Sequence, residues 1–208
     1  MISIETARGP ARVHDYRAEN ATKSLVLTHG AGGGVDAGDL QLLAEHLPPQ
    51  GVSVHLVEMP WRVAGKKLAP RPAIIDECYT SVLTALSLTA PVVGGRSAGA
   101  RSACRISSEV GARAVLALSF PLHPLGRPEV TRVAELAGVA VPLLVVQGGR
   151  DGFGRPEEFP EATMVIDVPY ADHALKVAKK APLGQDDASA LVVEAVLEWL
   201  GNLPPVDQ

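Results

Sequence analysis

The chain has 208 residues, of which 47% are apolar and 4% aromatic, and its formal net charge at pH 7 is −4. This composition is typical of a folded globular chain and argues against intrinsic disorder. The weakly negative charge, with no basic run interleaved with aromatic side chains, argues against a nucleic-acid partner.

Membrane insertion and export are not expected from the sequence. No apolar stretch approaches the roughly 18 residues that cross a bilayer, and residues 1–6 lack the basic start and apolar core of a signal peptide. The two cysteines, Cys78 and Cys104, fall at apolar helical positions without metal-ligand spacing, which favours buried free thiols. We therefore expect a cytoplasmic protein with no metal and no other cofactor.

Residues 1–18 alternate weakly in polarity and are predicted to form an edge strand or a hairpin. From residue 24 to residue 201, apolar runs alternate with segments of helical periodicity. The runs are apolar throughout rather than at every second residue, which is typical of a parallel sheet covered by helices on both faces. The predicted strands are 24–28, 52–57, 91–95, 112–119, 142–147 and 162–168. We predict a single α/β domain over residues 1–208.

The apolar spacing between and after these strands predicts helices, and Asp36 or Asp39 is available to cap the first one. The connection from Phe120 to Pro142 has room for one short helix, so no lid domain is expected. The predicted helices lie around 40–47, at 75–86, from Ser97 to about Glu109, and around 191–199, and a loop rich in Pro, Arg and Lys is predicted at 59–72.

Residues 95–99 read Gly-Arg-Ser-Ala-Gly, which fits the G-x-S-x-G pattern of a nucleophile elbow between a buried strand and a helix. Such a turn holds its serine in a strained conformation above the edge of the sheet. Gly95 and Gly99 must be small, because larger side chains would collide across the turn. The helix that follows directs free backbone N–H groups toward the serine hydroxyl. Ser97 is therefore a candidate nucleophile.

Two further polar residues follow strands at the same edge of the predicted sheet. Asp151 follows the strand at 142–147, and His173 follows the strand at 162–168. A histidine can take the proton of Ser97 as the hydroxyl attacks, and a carboxylate can fix the tautomer of the ring. The order serine, acid, histidine is one that hydrolases use. Asp172 is the rival acid, while Asp151 in a surface turn and His173 as a solvated loop residue are the non-catalytic alternatives.

An oxyanion formed by this attack needs backbone donors nearby. The sequence predicts the N–H groups of Ala31 and Ala98 for this role, because each follows the carboxyl end of a buried strand. The glycines at 32–34 would leave the floor of the site open, although a plain flexible turn would look the same in the sequence.

Several stretches of the chain together resemble the α/β-hydrolase superfamily. They are residues 28–32, 94–101, 120–124, 146–154 and 171–176, and they span most of the predicted domain. In size the chain is similar to dienelactone hydrolases, and it most closely resembles the small predicted-hydrolase group related to the testis-expressed 30 and KAT8-complex subunit 3 proteins. The resemblance implies an α/β-hydrolase fold without a lid. It also implies Ser97 as the nucleophile, Asp151 as the acid and His173 as the base.

Without a lid, an open site suits hydrolysis of a small soluble ester or thioester through an acyl-enzyme. Arg96, Arg101 and Arg155 near the mouth hint at an anionic ester, although such arginines commonly form salt bridges. The sequence leaves a homodimer open. The candidate residues for the walls of the substrate pocket are His29, Gly32, Trp61, Arg96, Phe120, His123 and Phe153.

Two other classes of function compete with the serine hydrolase. Residues 32–37 fit G-x-G-x-x-A after a strand, and Glu58 follows the next strand, as in a dinucleotide-binding fold. That interpretation gives no reason for Ser97, Asp151 and His173 to follow strands at one edge. The second alternative is a non-catalytic or weakly active interaction module that has kept the hydrolase fold.

Overall fold

The chain is described by a computed structural model, which covers residues 1–204. Its strands are β1 (Ile2–Thr6), β2 (Gly9–Tyr16), β3 (Lys23–Thr28), β4 (Val52–Glu58), β5 (Val92–Arg96), β6 (Ala114–Leu118), β7 (Leu143–Gly148) and β8 (Met164–Val168). Its α-helices are α1 (Gly38–His46), α2 (Pro60–Val63), α3 (Pro72–Leu86), α4 (Ala98–Ile106), α5 (Val133–Ala137) and α6 (Gln185–Gly201).

The strands form one eight-stranded sheet in the order β1-β2-β4-β3-β5-β6-β7-β8. All pairs from β4 across to β8 are parallel. The predicted N-terminal hairpin is confirmed, because β1 and β2 pair antiparallel and β2 adds antiparallel to β4 at one side of the sheet. The result is a mostly parallel sheet with helices on both faces, which is the α/β-hydrolase fold that the sequence predicts. The carboxyl ends of β3 to β8 therefore share one edge.

Two hydrophobic cores cover the two faces of the sheet. Successive strand residues point to opposite faces, so Leu25 and Leu27 pack in one core while Val26 packs in the other. The core that holds Val26 includes residues of α3 and α4, and the core that holds Leu25 includes residues of α1 and α6. Since both faces are buried, the strands need apolar residues at every position.

Several details of the helices differ from the sequence prediction. Helix α1 has Ala37 as its N-cap residue, with no side-chain cap; Asp39 lies inside the first turn and is buried. A short helix, α2, forms where a loop was predicted, with Pro60 at its first position, where the missing N–H of proline is tolerated. Helix α4 ends at Ile106 rather than near Glu109, where the Ser107 hydroxyl donates to the carbonyl of Cys104.

The connection between β6 and β7 contains only the five-residue helix α5, so the predicted absence of a lid is confirmed. An ionic network fastens this segment to the rest of the molecule: Arg101 and Arg105 on α4 both bind Glu135 on α5, and Arg105 also binds Asp76 on α3. In the described part of the chain, no helix is long and apolar enough to cross a membrane. Cys78 and Cys104 are buried and free, as predicted.

Candidate active site

The turn between β5 and α4 has the strained geometry that the G-x-S-x-G pattern predicts. Ser97 adopts φ 54° and ψ −110°, a conformation that costs a non-glycine residue roughly 1–3 kcal/mol. A Cβ atom on either Gly95 or Gly99 would lie 2.6 Å from the carbonyl oxygen of Thr28, a backbone atom of the neighbouring strand. Glycine is therefore required on both sides of Ser97, and the serine is left at the edge of the sheet.

Backbone donors lie beside this turn. Helix α4 begins at Ala98, directly after the serine, so the N–H of Ala98 belongs to the first turn and has no intrahelical acceptor. Ala31 is exposed in the turn that follows β3. Within residues 1–204, neither N–H donates to another backbone or side-chain group. Both donors are free to bind an external oxygen atom.

A continuous chain of hydrogen bonds joins Ser97, His173 and Asp151. The Nε2 atom of His173 lies 3.0 Å from the Oγ atom of Ser97, and its Nδ1 atom lies 2.7 Å from the Oδ2 atom of Asp151. Asp151 is fully buried, whereas His173 is about one-fifth exposed. Because an ionised carboxylate only accepts, the ring donates from Nδ1–H and Nε2 is left to accept the serine proton. This arrangement can draw the proton from the hydroxyl during attack on an electrophile.

Asp151 is held by two other donors besides His173. The side-chain amide of Gln147 donates to Oδ2 at 2.8 Å, and the backbone N–H of Phe153 donates to Oδ1 at 2.8 Å. Gln147 also donates to the carbonyl of Gly154 at 2.7 Å, which ties the loop after β7 to its own strand. Such donors fix the direction of the carboxylate.

The rival acid, Asp172, does not contact the ring of His173. Its Oδ1 atom accepts hydrogen bonds from the backbone N–H groups of Ala174 at 2.8 Å and Lys176 at 3.1 Å. Asp172 therefore shapes the loop that carries His173. The ring of Phe153 lies over His173 with centroids 4.4 Å apart, so an aromatic face covers one side of the imidazole.

Arg96 is tied to its surroundings on two sides. Its Nε atom lies 2.9 Å from the Oδ2 atom of Asp39, and its Nη2 atom donates to the backbone carbonyl of His173 at 2.8 Å. Arg101, the second arginine that the sequence places near the mouth, is paired with Glu135. Both guanidinium groups are therefore already bound to carboxylates. Arg155, the third arginine, lies 3.9 Å from the carboxylate of Glu157 on the surface, so none of the three supports the prediction of an anionic ester.

The structure corrects the prediction that His29 lines the substrate pocket. The residue is 1% exposed, and both ring nitrogens have partners. The Nδ1 atom lies 2.8 Å from the carbonyl of Gly30, and the Nε2 atom accepts from the N–H of Met59 at 3.0 Å. Burial lowers the pKa of His29 from its ordinary value of 6.5, although the bond to Gly30 opposes the shift. The neutral ring of His29 therefore links the loop after β3 to the loop after β4 through hydrogen bonds.

Trp61 packs edge-on against His29, with ring centroids 5.2 Å apart, and is 6% exposed. It lines a surface cavity of about 350 Å³ whose walls also include Arg8, Lys66 and Cys78. Neither Ser97 nor His173 borders this cavity. Trp61 therefore stands beside the candidate site rather than in it.

Two more of the predicted pocket residues are buried. Phe120 has no exposed surface and packs in the hydrophobic core, edge-on to Phe159, so it cannot form a pocket wall. The ring of His123 is bound at both nitrogens, to the carbonyl of Pro124 and to the carboxylate of Glu158. Gly32 is exposed and Phe153 half-buried, so these two remain accessible.

Sequence reasoning missed two residues that organise the site. Gln147 lies at the carboxyl end of an otherwise apolar strand, and that isolated polar residue was the available signal. Asp39 was considered only as a helix cap. No cluster of three or more His, Cys, Asp or Glu side chains that could hold a metal occurs in residues 1–204.

Comparison with known proteins agrees with this architecture. The family model of the alpha/beta hydrolase domain matches residues 21–201, so the chain belongs to the alpha/beta hydrolase family. A solved dienelactone hydrolase from Anabaena variabilis is 17% identical, with a TM-score of 0.73, covering 98% of this chain and 97% of that one. The serine hydrolase XC6422 from Xanthomonas campestris, described as having no lid, is 16% identical, with a TM-score of 0.69 and coverage of 99% and 95%.

A third similar structure is Est1E from Butyrivibrio proteoclasticus. It is 15% identical, with a TM-score of 0.71, and the match covers 97% of this chain and 99% of that one. At these identities the likeness shows a shared fold. Family membership and the shared fold therefore place this chain in the α/β-hydrolase family.

Proposed function

We propose that this protein is a serine hydrolase that cleaves a small soluble ester or thioester through an acyl-enzyme on Ser97. The observation that carries the proposal is the unbroken set of hydrogen bonds from Ser97 Oγ through the His173 ring to the buried Asp151 carboxylate. Chance placement of polar residues rarely satisfies three side chains from separate loops at once. A nucleophile, a base and an acid joined in this order by hydrogen bonds are the arrangement expected at a catalytic site.

In the proposed reaction, the Ser97 oxygen attacks the carbonyl carbon while His173 Nε2 takes the hydroxyl proton. The carbonyl oxygen becomes an oxyanion, which accepts hydrogen bonds from the N–H groups of Ala31 and Ala98. The same proton then passes from His173 to the departing alcohol or thiol. Water attacks the acyl-Ser97 ester in a second round, with His173 again as the base. Asp151 stays ionised and stabilises the imidazolium that forms in each round.

The proposed substrate is small because the site has no covering domain. The β6–β7 connection supplies only α5, and the accessible candidates for pocket walls are Gly32 and Phe153. With Arg96 and Arg101 already bound to carboxylates, charge on the acyl group is not required for recognition. We therefore propose ester-bond hydrolysis of the carboxylesterase or thioesterase kind.

The remaining expectations from the sequence are also part of this proposal. We place the chain in the group that resembles the testis-expressed 30 and KAT8-complex subunit 3 proteins, on the motifs at residues 94–101 and 146–154. We propose one domain, a cytoplasmic location, and no requirement for a nucleic acid, a membrane or a cofactor. A homodimer is compatible with the proposed chemistry, because all of its side chains come from one chain.

Turnover of p-nitrophenyl acetate and butyrate, each alongside the corresponding thioester, tests the proposed activity. Ser97→Ala is expected to lower kcat on the best substrate by at least on the order of 10³-fold, because the attacking atom is removed. Ser81→Ala is the matched control, since that hydroxyl binds only the carbonyl of Glu77 on the exposed face of α3. Its kcat is expected to equal that of the unaltered chain.

Two results would contradict the proposal. One is a folded wild-type protein that hydrolyses no member of the ester and thioester panel above the buffer rate, which would favour the non-catalytic interaction module. The other is hydrolysis that survives Ser97→Ala, which would place the reaction elsewhere on the molecule.

A further inference from the structure

The guanidinium of Arg96 meets three loops at the catalytic edge of the sheet. Arg96 itself belongs to the turn that carries Ser97. Its Nε atom reaches Asp39 in the first turn of α1, and its Nη2 atom reaches the backbone carbonyl of His173. Its Nη1 atom lies against Gly30, where a Cβ atom would be 3.2 Å away. One side chain therefore contacts the loops that hold the proposed nucleophile, oxyanion donor and base.

The pair with Asp39 fixes the direction of this guanidinium. The Asp39 side chain is 1% exposed and that of Arg96 is 16% exposed, so both charges are largely removed from water. Burial raises the pKa of the Asp39 carboxyl, and the Arg96 charge opposes that shift. If either partner were removed, the other would be left as an uncompensated buried charge. Because an unpaired buried charge is costly, the paired arrangement is strongly favoured. The N–H of Leu40 also donates to Asp39 Oδ1 at 2.9 Å, and this bond fixes the orientation of the carboxylate.

The loop of His173 has few other ties to the turn of Ser97. On its far side it is joined to the loop after β7, where the N–H of Arg150 donates to the carbonyl of Ala171. Within residues 1–204, only two hydrogen bonds connect it to residues 95–99. They are the Arg96–His173 carbonyl bond and the proposed catalytic bond between His173 and Ser97. The bond from Arg96 holds the backbone of His173, and the position of the imidazole ring depends on that backbone.

We propose that Arg96, oriented by Asp39, is a positioning residue that sets the separation of His173 Nε2 from Ser97 Oγ. This inference rests on the proposed hydrolase function. The guanidinium contacts neither the ring nor the hydroxyl; it acts through the backbone carbonyl of His173. Arginine is needed here because its planar fork binds a carboxylate with one nitrogen and a carbonyl with another. A lysine ammonium at the same place reaches one partner at a time.

The test compares Arg96→Met, Arg96→Lys and Asp39→Asn with the unaltered protein. Arg96→Met is expected to lower kcat by about 10- to 100-fold with little change in KM, because a small misplacement of a catalytic group has effects of this size. Arg96→Lys is expected to recover only part of the loss. Asp39→Asn keeps the volume of the side chain and removes only the charge that pairs with Arg96, so it is expected to fall between Arg96→Met and the unaltered protein.

Arg105→Met is the matched control. It removes a half-buried arginine bound to Asp76 and Glu135 at the far end of α4, so it lowers stability without touching the three loops. Its kcat is expected to stay at the wild-type level. Equal losses of kcat in Arg105→Met and Arg96→Met would overturn the inference, because the effect would then follow from stability alone. A wild-type kcat in folded Arg96→Met would overturn it as well.

¹⁵N NMR of the His173 ring separates this inference from the proposed function. The Nε2 nitrogen lies within hydrogen-bond distance of Ser97 Oγ, so its chemical shift is expected to differ between the unaltered protein and Ser97→Ala. Arg105→Met is expected to keep the unaltered shift, whereas Arg96→Met is expected to move it toward the Ser97→Ala value while the protein remains folded. If the wild type hydrolyses no ester, the function fails and this spectrum alone decides the positioning role. An Nε2 shift in Arg96→Met that equals the unaltered one rejects that role whatever the activity.

Discussion

The two glycine-rich turns at the catalytic edge are similar in sequence and different in structure. In the turn after β5, a Cβ on Gly99 would lie 2.6 Å from the Thr28 carbonyl and 2.9 Å from the His29 carbonyl. In the turn after β3, a Cβ on Gly32 or Gly33 would meet no atom within 4 Å. The first turn is defined by backbone packed against backbone. The second is open, and the buried ring of His29 braces its first residues.

Glycine therefore serves two separate purposes in these turns. At residues 95–99 it permits a close approach of backbone, and the strained Ser97 depends on it. At Gly32 and Gly33 it leaves surface room beside the proposed oxyanion donor of Ala31. The one turn is rigid by steric necessity, and the other is held by hydrogen bonds to a side chain.

The largest expected effect comes from adding one methyl group to the closed turn. Gly99→Ala is expected to lower the free energy of unfolding by about 3 kcal/mol, because the new Cβ collides with backbone atoms that cannot rotate away. Ester hydrolysis is expected to vanish with it, since Ser97 is displaced. Urea unfolding and the kcat of p-nitrophenyl ester hydrolysis measure the two effects.

Gly33→Ala gives the other half of this comparison. Its Cβ enters open space, so the free energy of unfolding is expected to change by no more than about 0.5 kcal/mol. Equal destabilisation by the two substitutions would show that the turns are not different in the way described.

The next effect in size concerns the donor in the open turn. Ala31→Pro removes the N–H of that residue, and kcat is expected to fall by about 10²–10³-fold because one of two oxyanion donors is lost. Ala31→Ser is the matched substitution, since it keeps the N–H, and it is expected to lose far less. Steady-state kinetics with thermal melting of both variants distinguishes loss of a donor from loss of fold. An active, folded Ala31→Pro would exclude Ala31 from the oxyanion hole.

The smallest effect is a pH dependence from His29. Burial lowers the pKa of His29 from its ordinary value of 6.5, so the folded state keeps the ring neutral where the unfolded state takes up a proton. The unfolded state then binds more protons, and stability falls as the pH drops below that ordinary value. At one pH unit below it, the loss has an upper limit of about 1.4 kcal/mol, which applies to a ring that stays wholly neutral in the folded state.

Urea unfolding of the unaltered chain and of His29→Gln, at about pH 7.5 and about pH 5.5, measures this contribution. The glutamine oxygen can still accept from the N–H of Met59 but does not titrate, so the variant is expected to show a smaller change between the two pH values. Identical changes in both proteins would mean that His29 does not brace the open turn as a neutral ring.

Much of the fold could be predicted from the sequence, because a sheet that is buried on both faces requires uninterrupted apolar runs in its strands. The uninterrupted apolar run at β3 predicts a central parallel strand, and parallel strands bring their carboxyl ends to one edge. From this rule alone, the sequence predicts that Ser97, Asp151 and His173 lie at a common edge of the sheet. The steric requirement at Gly95 and Gly99 follows equally from the elbow pattern.

The contacts between loops could not be predicted, because they depend on distances across the chain that no local pattern encodes. Asp39 is an ordinary acidic residue near a helix start until its pairing with Arg96 is known. His29 follows a strand and resembles a pocket residue, yet its two ring nitrogens are hydrogen-bonded to the backbone of Gly30 and Met59. Gln147 acts on Asp151 from within a buried strand, where its residue type was the only sign.

Mass spectrometry of the protein after treatment with a fluorophosphonate shows directly whether Ser97 is an activated nucleophile. We expect one phosphonyl adduct, on the peptide that contains Ser97, and its loss in His173→Ala, where no base activates the hydroxyl. A folded protein that gains no adduct, or that gains it on another serine, would contradict the claim that Ser97, His173 and Asp151 form a working relay.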